Sequence, residues 1–234
     1  MTTAPAELRG RIGLGLVPPR DGFLARLREV TRAHRILLVA DEVLNFRLGY
    51  RGAFHDLGIR ADLTCLGKII GGGFPVGAVG GREDVMSVFD HTRTPLVHHG
   101  GTYNGNPVTM TAGLATMRKM TPAAFARLDR MGEAMRDKLR ALLRRLGRGG
   151  QVLGRGSLFC VRLTDEVLSD WRTVSRHVLA QPVYRQICHE MLSRGIVTSP
   201  RGIIGCLSTP MEEPELDAFV DALDAALRAL GHGK

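Results

Sequence analysis

The sequence predicts an α/β protein in two regions, and three observations predict it. Short apolar runs at 36–40, 62–66 and 77–80 read as strands. Amphipathic stretches before and after them carry the spacing of helices packed on one face. Beyond residue 146 short strands and helices alternate, with no internal repeat and no low-complexity linker.

The first helix covers 22–34, with Phe23, Leu24, Leu27 and Val30 on one face. Arg35-Ile36-Leu37-Leu38-Val39-Ala40 follows as an apolar run, the pattern of a buried parallel strand. Strands at 62–66 and 77–80 flank a glycine-rich loop, and a helix runs from 107 to 120. From 122 to 146 the spacing of Phe125, Leu128, Met131, Met135, Leu139, Leu142 and Leu146 marks one long helix with a packing face. Residues 158–163 read as a strand, and 182–194 as a helix closed by Gly195 in a left-handed cap. Short strands are expected at 196–198 and 203–208. Glu213-Pro214 opens a last helix with Leu216, Phe219, Val220, Leu223, Leu227 and Leu230 inward. The loosest stretch is 147–156.

The chemistry concentrates in the first region. The chain holds 28 arginines and only four lysines, Lys68, Lys119, Lys138 and Lys234. Lys68 stands in Leu66-Gly67-Lys68-Ile69-Ile70-Gly71-Gly72-Gly73-Phe74-Pro75-Val76-Gly77-Ala78, where a strand ends and the loop begins. A guanidinium stays protonated, whereas a desolvated ammonium can lose its proton and attack a carbonyl. A triphosphate-binding loop is excluded: it needs glycine six residues before the lysine and Ser or Thr after it, and Asp62 and Ile69 occupy those positions. The consecutive Gly71, Gly72 and Gly73 also lack the dinucleotide spacing.

Asp41 lies 27 residues upstream, at the end of the first apolar run. That spacing, near one strand–crossover–strand unit, could bring Asp41 and Lys68 to the carboxyl edge of one sheet, where open α/β sheets bind ligands. A carboxylate there could keep a heteroaromatic nitrogen protonated while the lysine forms an imine. A third block, His98-His99-Gly100-Gly101-Thr102-Tyr103-Asn104-Gly105-Asn106-Pro107, precedes a helix; small and hydroxyl-bearing residues there suit an anion.

With these blocks the chain resembles the class III aminotransferases, pyridoxal-phosphate enzymes of fold type I, and within them the glutamate-1-semialdehyde aminomutase-like branch. The matching text is Leu38-Val39-Ala40-Asp41-Glu42-Val43, then 62–78, then Gly101 to Pro107 in order. The resemblance implies a partial fold: an incomplete, mostly parallel sheet of the large domain in residues 1–121, and a linking long helix with an α+β small domain in 122–234. It implies pyridoxal 5'-phosphate as cofactor, held by Lys68 as a Schiff base. Lys68 would also shuttle a proton. Asp41 would pair with the ring nitrogen, Val43 would pack on a ring face, and Thr102 would bind phosphate, typically that of the partner subunit.

Departures accompany the likeness. Leu44-Asn45-Phe46 lacks the family's usual Thr-Gly-Phe continuation, and Ile203-Ile204-Gly205 replaces the aminomutase Glu-Ala-Gly. The latter favours a general aminotransferase, with an aminomutase as the alternative. The sequence begins near the middle of a family member, so the expected cofactor site is half built and the chain alone inactive. A non-catalytic remnant, or half of a split enzyme acting through association, is the third reading.

The remaining expectations are plainer. A small-molecule amino donor and oxo acceptor are the implied partners, with a homodimer for the complete enzyme. Four scattered cysteines, Cys65, Cys160, Cys188 and Cys206, suit free thiols and a cytoplasmic setting. No apolar run approaches the roughly 18 residues of a membrane span. The net charge of +9 clusters only at Arg136, Lys138, Arg140, Arg144, Arg145 and Arg148, which reads as a solvated helix face rather than a nucleic-acid surface. His98-His99 reads as a loop pair rather than metal ligands, Glu42 as a neighbour of Asp41, and Arg201 as a candidate for a substrate carboxylate.

Overall fold

Residues 16–94, 96–178, 182–200 and 202–231 are described by the computed structural model, so Met1 to Leu8, Gly13, Arg201 and Lys234 lie outside the described residues. The described residues divide into two compact units, one from Pro19 to Phe125, the other from Ala126 to Gly231 together with Leu16 to Pro18.

In the first unit, α1 (Phe23–Ala33) leads to β1 (Val39–Asp41). A short α2 (Ala53–Asp56) separates β1 from β2 (Leu63–Gly67), and the two strands pair in parallel with Val39 opposite Leu63 and Asp41 opposite Cys65. A 3-10 turn (Lys68–Gly71) then leads to β3 (Gly77–Gly81), which pairs antiparallel with β2. The link between them is too short for a helical crossover, so the chain can only return antiparallel. Of the two described pairings, therefore, one is parallel and one antiparallel. A short α3 (Glu83–Met86) and α4 (Pro107–Lys119) complete the unit.

A buried carboxylate binds these pieces together. Asp62, at the foot of β2, accepts from the Leu38 N–H at 2.8 Å, Arg28 Nη1 at 2.8 Å and Arg82 Nη1 at 2.8 Å. Its side chain is 6% exposed. Burial alone would raise its pKa, but the Leu38 amide and the two guanidiniums prevail and hold it at about 2. One side chain thus joins α1, β1, β2 and the end of β3.

The apolar cover over this sheet is thin. Of the apolar side chains buried among the described residues, only Leu38, Ala40, Leu48, Ala53, Met120 and Phe125 belong to this unit. Ile36, Leu37, Val39, Val79, Val108, Met110 and Leu114 are exposed. The run at 36–40 predicts a strand covered on both sides; the structure instead alternates, exposed at Val39 and Asp41 and buried at Ala40.

The second unit is well packed. The long α5 (Pro122–Arg145) crosses into it, and β4 (Gln151–Leu153), β5 (Leu158–Arg162) and β6 (Ile203–Cys206) form an antiparallel sheet in that order. Around the sheet lie α6 (Trp171–Val178), α7 (Val183–Leu192) and α8 (Glu213–Gly231). Met135, Leu139, Ile187, Met191, Leu223 and Leu227 form its interior, and Phe159 meets Phe219 edge to face at 5.0 Å.

Three sequence expectations change here. Residues 196–198 form no strand, the stretch 147–156 contains β4, and 171–178 is helical. The missed helix carried a legible sign: Asp170 Oδ1 accepts from Thr173 N at 2.9 Å, an acidic N-cap. The basic cluster on α5 is engaged within the unit. Lys138 meets Glu213 at 2.8 Å and Asp217 at 2.7 Å, Arg145 meets Asp224 at 2.9 Å, and Arg136 donates to the Gly156 carbonyl at 2.8 Å. The charges of α5 therefore act as struts to α8 and to the turn before β5.

Candidate functional site

The parallel register decides the geometry of the site. Because Asp41 pairs with Cys65, β1 and β2 end side by side, and Lys68 lies three residues past that rung. Both residues thus occupy the carboxyl edge of neighbouring strands, the edge at which open α/β sheets take ligands.

Lys68 has a left-handed backbone, φ 50°, which costs a β-carbon-bearing residue about 1 kcal/mol or more. Its side chain is exposed. Among the described residues its Nζ makes no hydrogen bond or ion pair, Asp41 included. Asp41 Oδ1 accepts from the Val43 N–H at 3.1 Å, which turns the chain immediately after β1, and its second oxygen has no partner among the described residues. Val43 is drawn inward by that turn: a methyl group added at Gly67 would meet Val43 Cγ1 at 3.3 Å. Val43 therefore lies against the backbone just before Lys68.

Asn45, where the sequence departs from the expected motif, is buried and donates from Nδ2 to the Asp41 carbonyl at 3.4 Å. Its Oδ1 is buried with no partner among the described residues. The sequence reading gave Asn45 no role; a lone Asn in a loop carries no signal that its amide will be enclosed.

Glu42 is a brace. Its carboxylate, 4% exposed, accepts from the Phe54 N–H at 2.8 Å and from the Ala53 N–H, closing the first turn of α2. Gly52 passes so close that a methyl there would lie 2.2 Å from Oε2. Burial pushes the Glu42 pKa up, with the two amides opposing. Glu42→Ala would leave both amides without a side-chain acceptor, and a loss of about 1–2 kcal/mol is expected, read as a lower denaturation midpoint.

Thr102 stands apart from the other three candidates, exposed in the turn that precedes α4, and no hydrogen bond joins it to Asp41, Val43 or Lys68 among the described residues. Asn106 caps that helix by accepting from the Thr109 N–H at 2.9 Å, with Pro107 at the first helical position. His98 and His99 are exposed; the His99 ring lies 5.5 Å from Phe89. Among the described residues no three His, Cys, Asp or Glu side chains gather as metal ligands, and no helix is long and apolar enough to cross a membrane.

Comparison with known proteins finds likeness over nearly the whole chain. The sequence profile of the family described as Aminotransferase class-III matches residues 13–227. A β-phenylalanine transaminase of Variovorax paradoxus is 41% identical over 221 residues, 94% of this chain and 49% of that protein. A glutamate-1-semialdehyde 2,1-aminomutase of Akkermansia muciniphila is 37% identical over 222 residues, 93% of this chain and 51% of that protein. The crystal structure of an omega-transaminase from Sphaerobacter thermophilus superimposes with a TM-score of 0.85 at 50% identity, over 92% of this chain and 49% of that one. The chain spans about half the length of the relatives it matches.

Proposed function

Since the chain belongs to the class III aminotransferase family, we propose that it carries the lysine-bearing half of a pyridoxal 5'-phosphate site that moves an amino group between small molecules. The observation that carries this reading is the parallel rung: Asp41 and Lys68 end neighbouring strands, and neither is engaged with the other. The residues suit such a cofactor. Asp41 retains a carboxylate oxygen for a ring N–H, Val43 offers an apolar contact beside Lys68, and the buried Asn45 Oδ1 is an acceptor in want of a donor.

When bound, the cofactor supplies an electron sink for chemistry at the amino-bearing carbon. Lys68 Nζ would hold it covalently and then carry a proton at that nitrogen. Asp41 would keep the ring nitrogen protonated, Val43 would cover a ring face, and Thr102 would bind phosphate in a homodimer of the complete enzyme. An amino donor and an oxo acceptor are the substrates of this reading. Transaminase chemistry is favoured over an aminomutase because Ile203-Ile204-Gly205 replaces the aminomutase Glu-Ala-Gly, and percentage identity is higher to the β-phenylalanine transaminase and the omega-transaminase than to the aminomutase.

The test is absorbance of the purified chain with pyridoxal 5'-phosphate, followed by borohydride trapping and peptide mapping. A band at the visible edge and a trapped adduct at Lys68, both lost in Lys68→Ala, are expected. No adduct at Lys68 at saturating cofactor would overturn the assignment.

A further inference from the structure

Lys68 holds an unfavourable backbone conformation, so something must hold Lys68. The 3-10 turn that begins at Lys68 rests on α4, and the approach is closer than any side chain allows. A methyl added at Gly113, in the middle of α4, would lie 2.2 Å from the Ile70 carbonyl oxygen and 3.6 Å from Gly71 Cα. One added at Gly72, whose φ is 61°, would lie 2.3 Å from the Ala112 carbonyl oxygen. Between them Thr109, also buried, donates from Oγ1 to the Pro75 carbonyl at 3.3 Å. The loop from Lys68 to Pro75 is thus seated on one helix at both ends.

Gly113 is the single glycine inside α4. Glycine within a helix is less favourable than alanine, so intrinsic preference argues against it and packing must argue for it. We propose that Gly113 is a positioning residue for Lys68: by admitting the Ile70 carbonyl to the helix surface, it fixes the Lys68–Gly71 turn and hence the direction of the lysine. This rests on the reading of Lys68 as the cofactor-binding residue. Alanine at 113 would push the turn away by about 1 Å, since a close-packed contact yields little. Misplacement of that size costs reactivity of about tenfold or more.

The experiment uses the full chain and two readouts. Pyridoxal 5'-phosphate and borohydride label accessible lysines, and peptide mapping gives the ratio of Lys68 to Lys119 within each molecule. Hydrogen exchange over residues 68–76 reports the turn without any cofactor. Gly113→Ala is expected to lower the labelling ratio about tenfold and speed exchange over 68–76, with residues 126–231 unchanged. Ala115→Gly, at an exposed position of the same helix, weakens α4 by propensity alone and should leave the ratio where it was. Should Gly113→Ala fail to fold by circular dichroism, Thr109→Val takes its place, removing the bond to Pro75 at nearly constant shape. An unchanged ratio and unchanged exchange in a folded variant overturn the proposal. A wild-type chain without preference for Lys68 overturns the cofactor reading instead, and exchange over 68–76 then still decides whether Gly113 fixes the turn.

Discussion

Asp62→Ala is expected to destabilise the Pro19–Phe125 unit by about 3 kcal/mol or more, because it strands a largely buried cation. Arg28, whose side chain is 17% exposed, would keep only its 3.2 Å bond to the Arg60 carbonyl, and the Leu38 amide would lose its acceptor. Asp62→Asn should cost less, since an amide oxygen still accepts. The charge has its own signature. The folded value of about 2 lies below the ordinary 3.8, so the contribution is full above pH 3.8 and lost as pH falls through 2. The gap corresponds to about 2 kcal/mol. Denaturation of the wild type between pH 4 and 2 should show this loss, and Asp62→Asn should flatten it. A wild-type slope that persists in Asp62→Asn would assign the acid sensitivity elsewhere.

The second large effect separates stability from chemistry at one position. Lys68→Arg keeps the charge but presents a guanidinium that stays protonated, so trapped adduct should fall to background. Lys68→Gly should abolish the adduct equally while raising stability by up to about 1 kcal/mol, because glycine takes φ 50° without penalty. A gain in stability with complete loss of labelling identifies backbone strain kept for function. A Lys68→Gly chain less stable than Lys68→Ala would show that the backbone at φ 50° stores no strain that glycine relieves.

Much of this was legible in the residues. The apolar runs and the 27-residue spacing anticipate the rung between Asp41 and Cys65, because strands and crossovers have characteristic lengths. The helices from 23 to 33, 122 to 145 and 213 to 231 follow the apolar spacing, and the expected helix from 107 is found at 107–119, each to within about two residues. Other features had no local sign. Asp62 draws its partners from 34, 24 and 20 residues away, and no pattern of sequence links them. Gly113 reads as a mild defect in a helix until the Ile70 carbonyl is seen beneath it. β4 is three residues long and owes its existence to β5, so its own sequence could not announce it.

The thin apolar interior around β1 and β2 has a thermodynamic consequence. A body that encloses so few of its own hydrocarbon groups has little stability in reserve, so anything that binds its folded form adds a large share, by RT ln(1 + [L]/Kd). Its melting point should then rise with the concentration of such a ligand, whereas that of the densely filled unit containing α8 should not. Heating should give two separate transitions, and only the lower one should climb as pyridoxal 5'-phosphate is added.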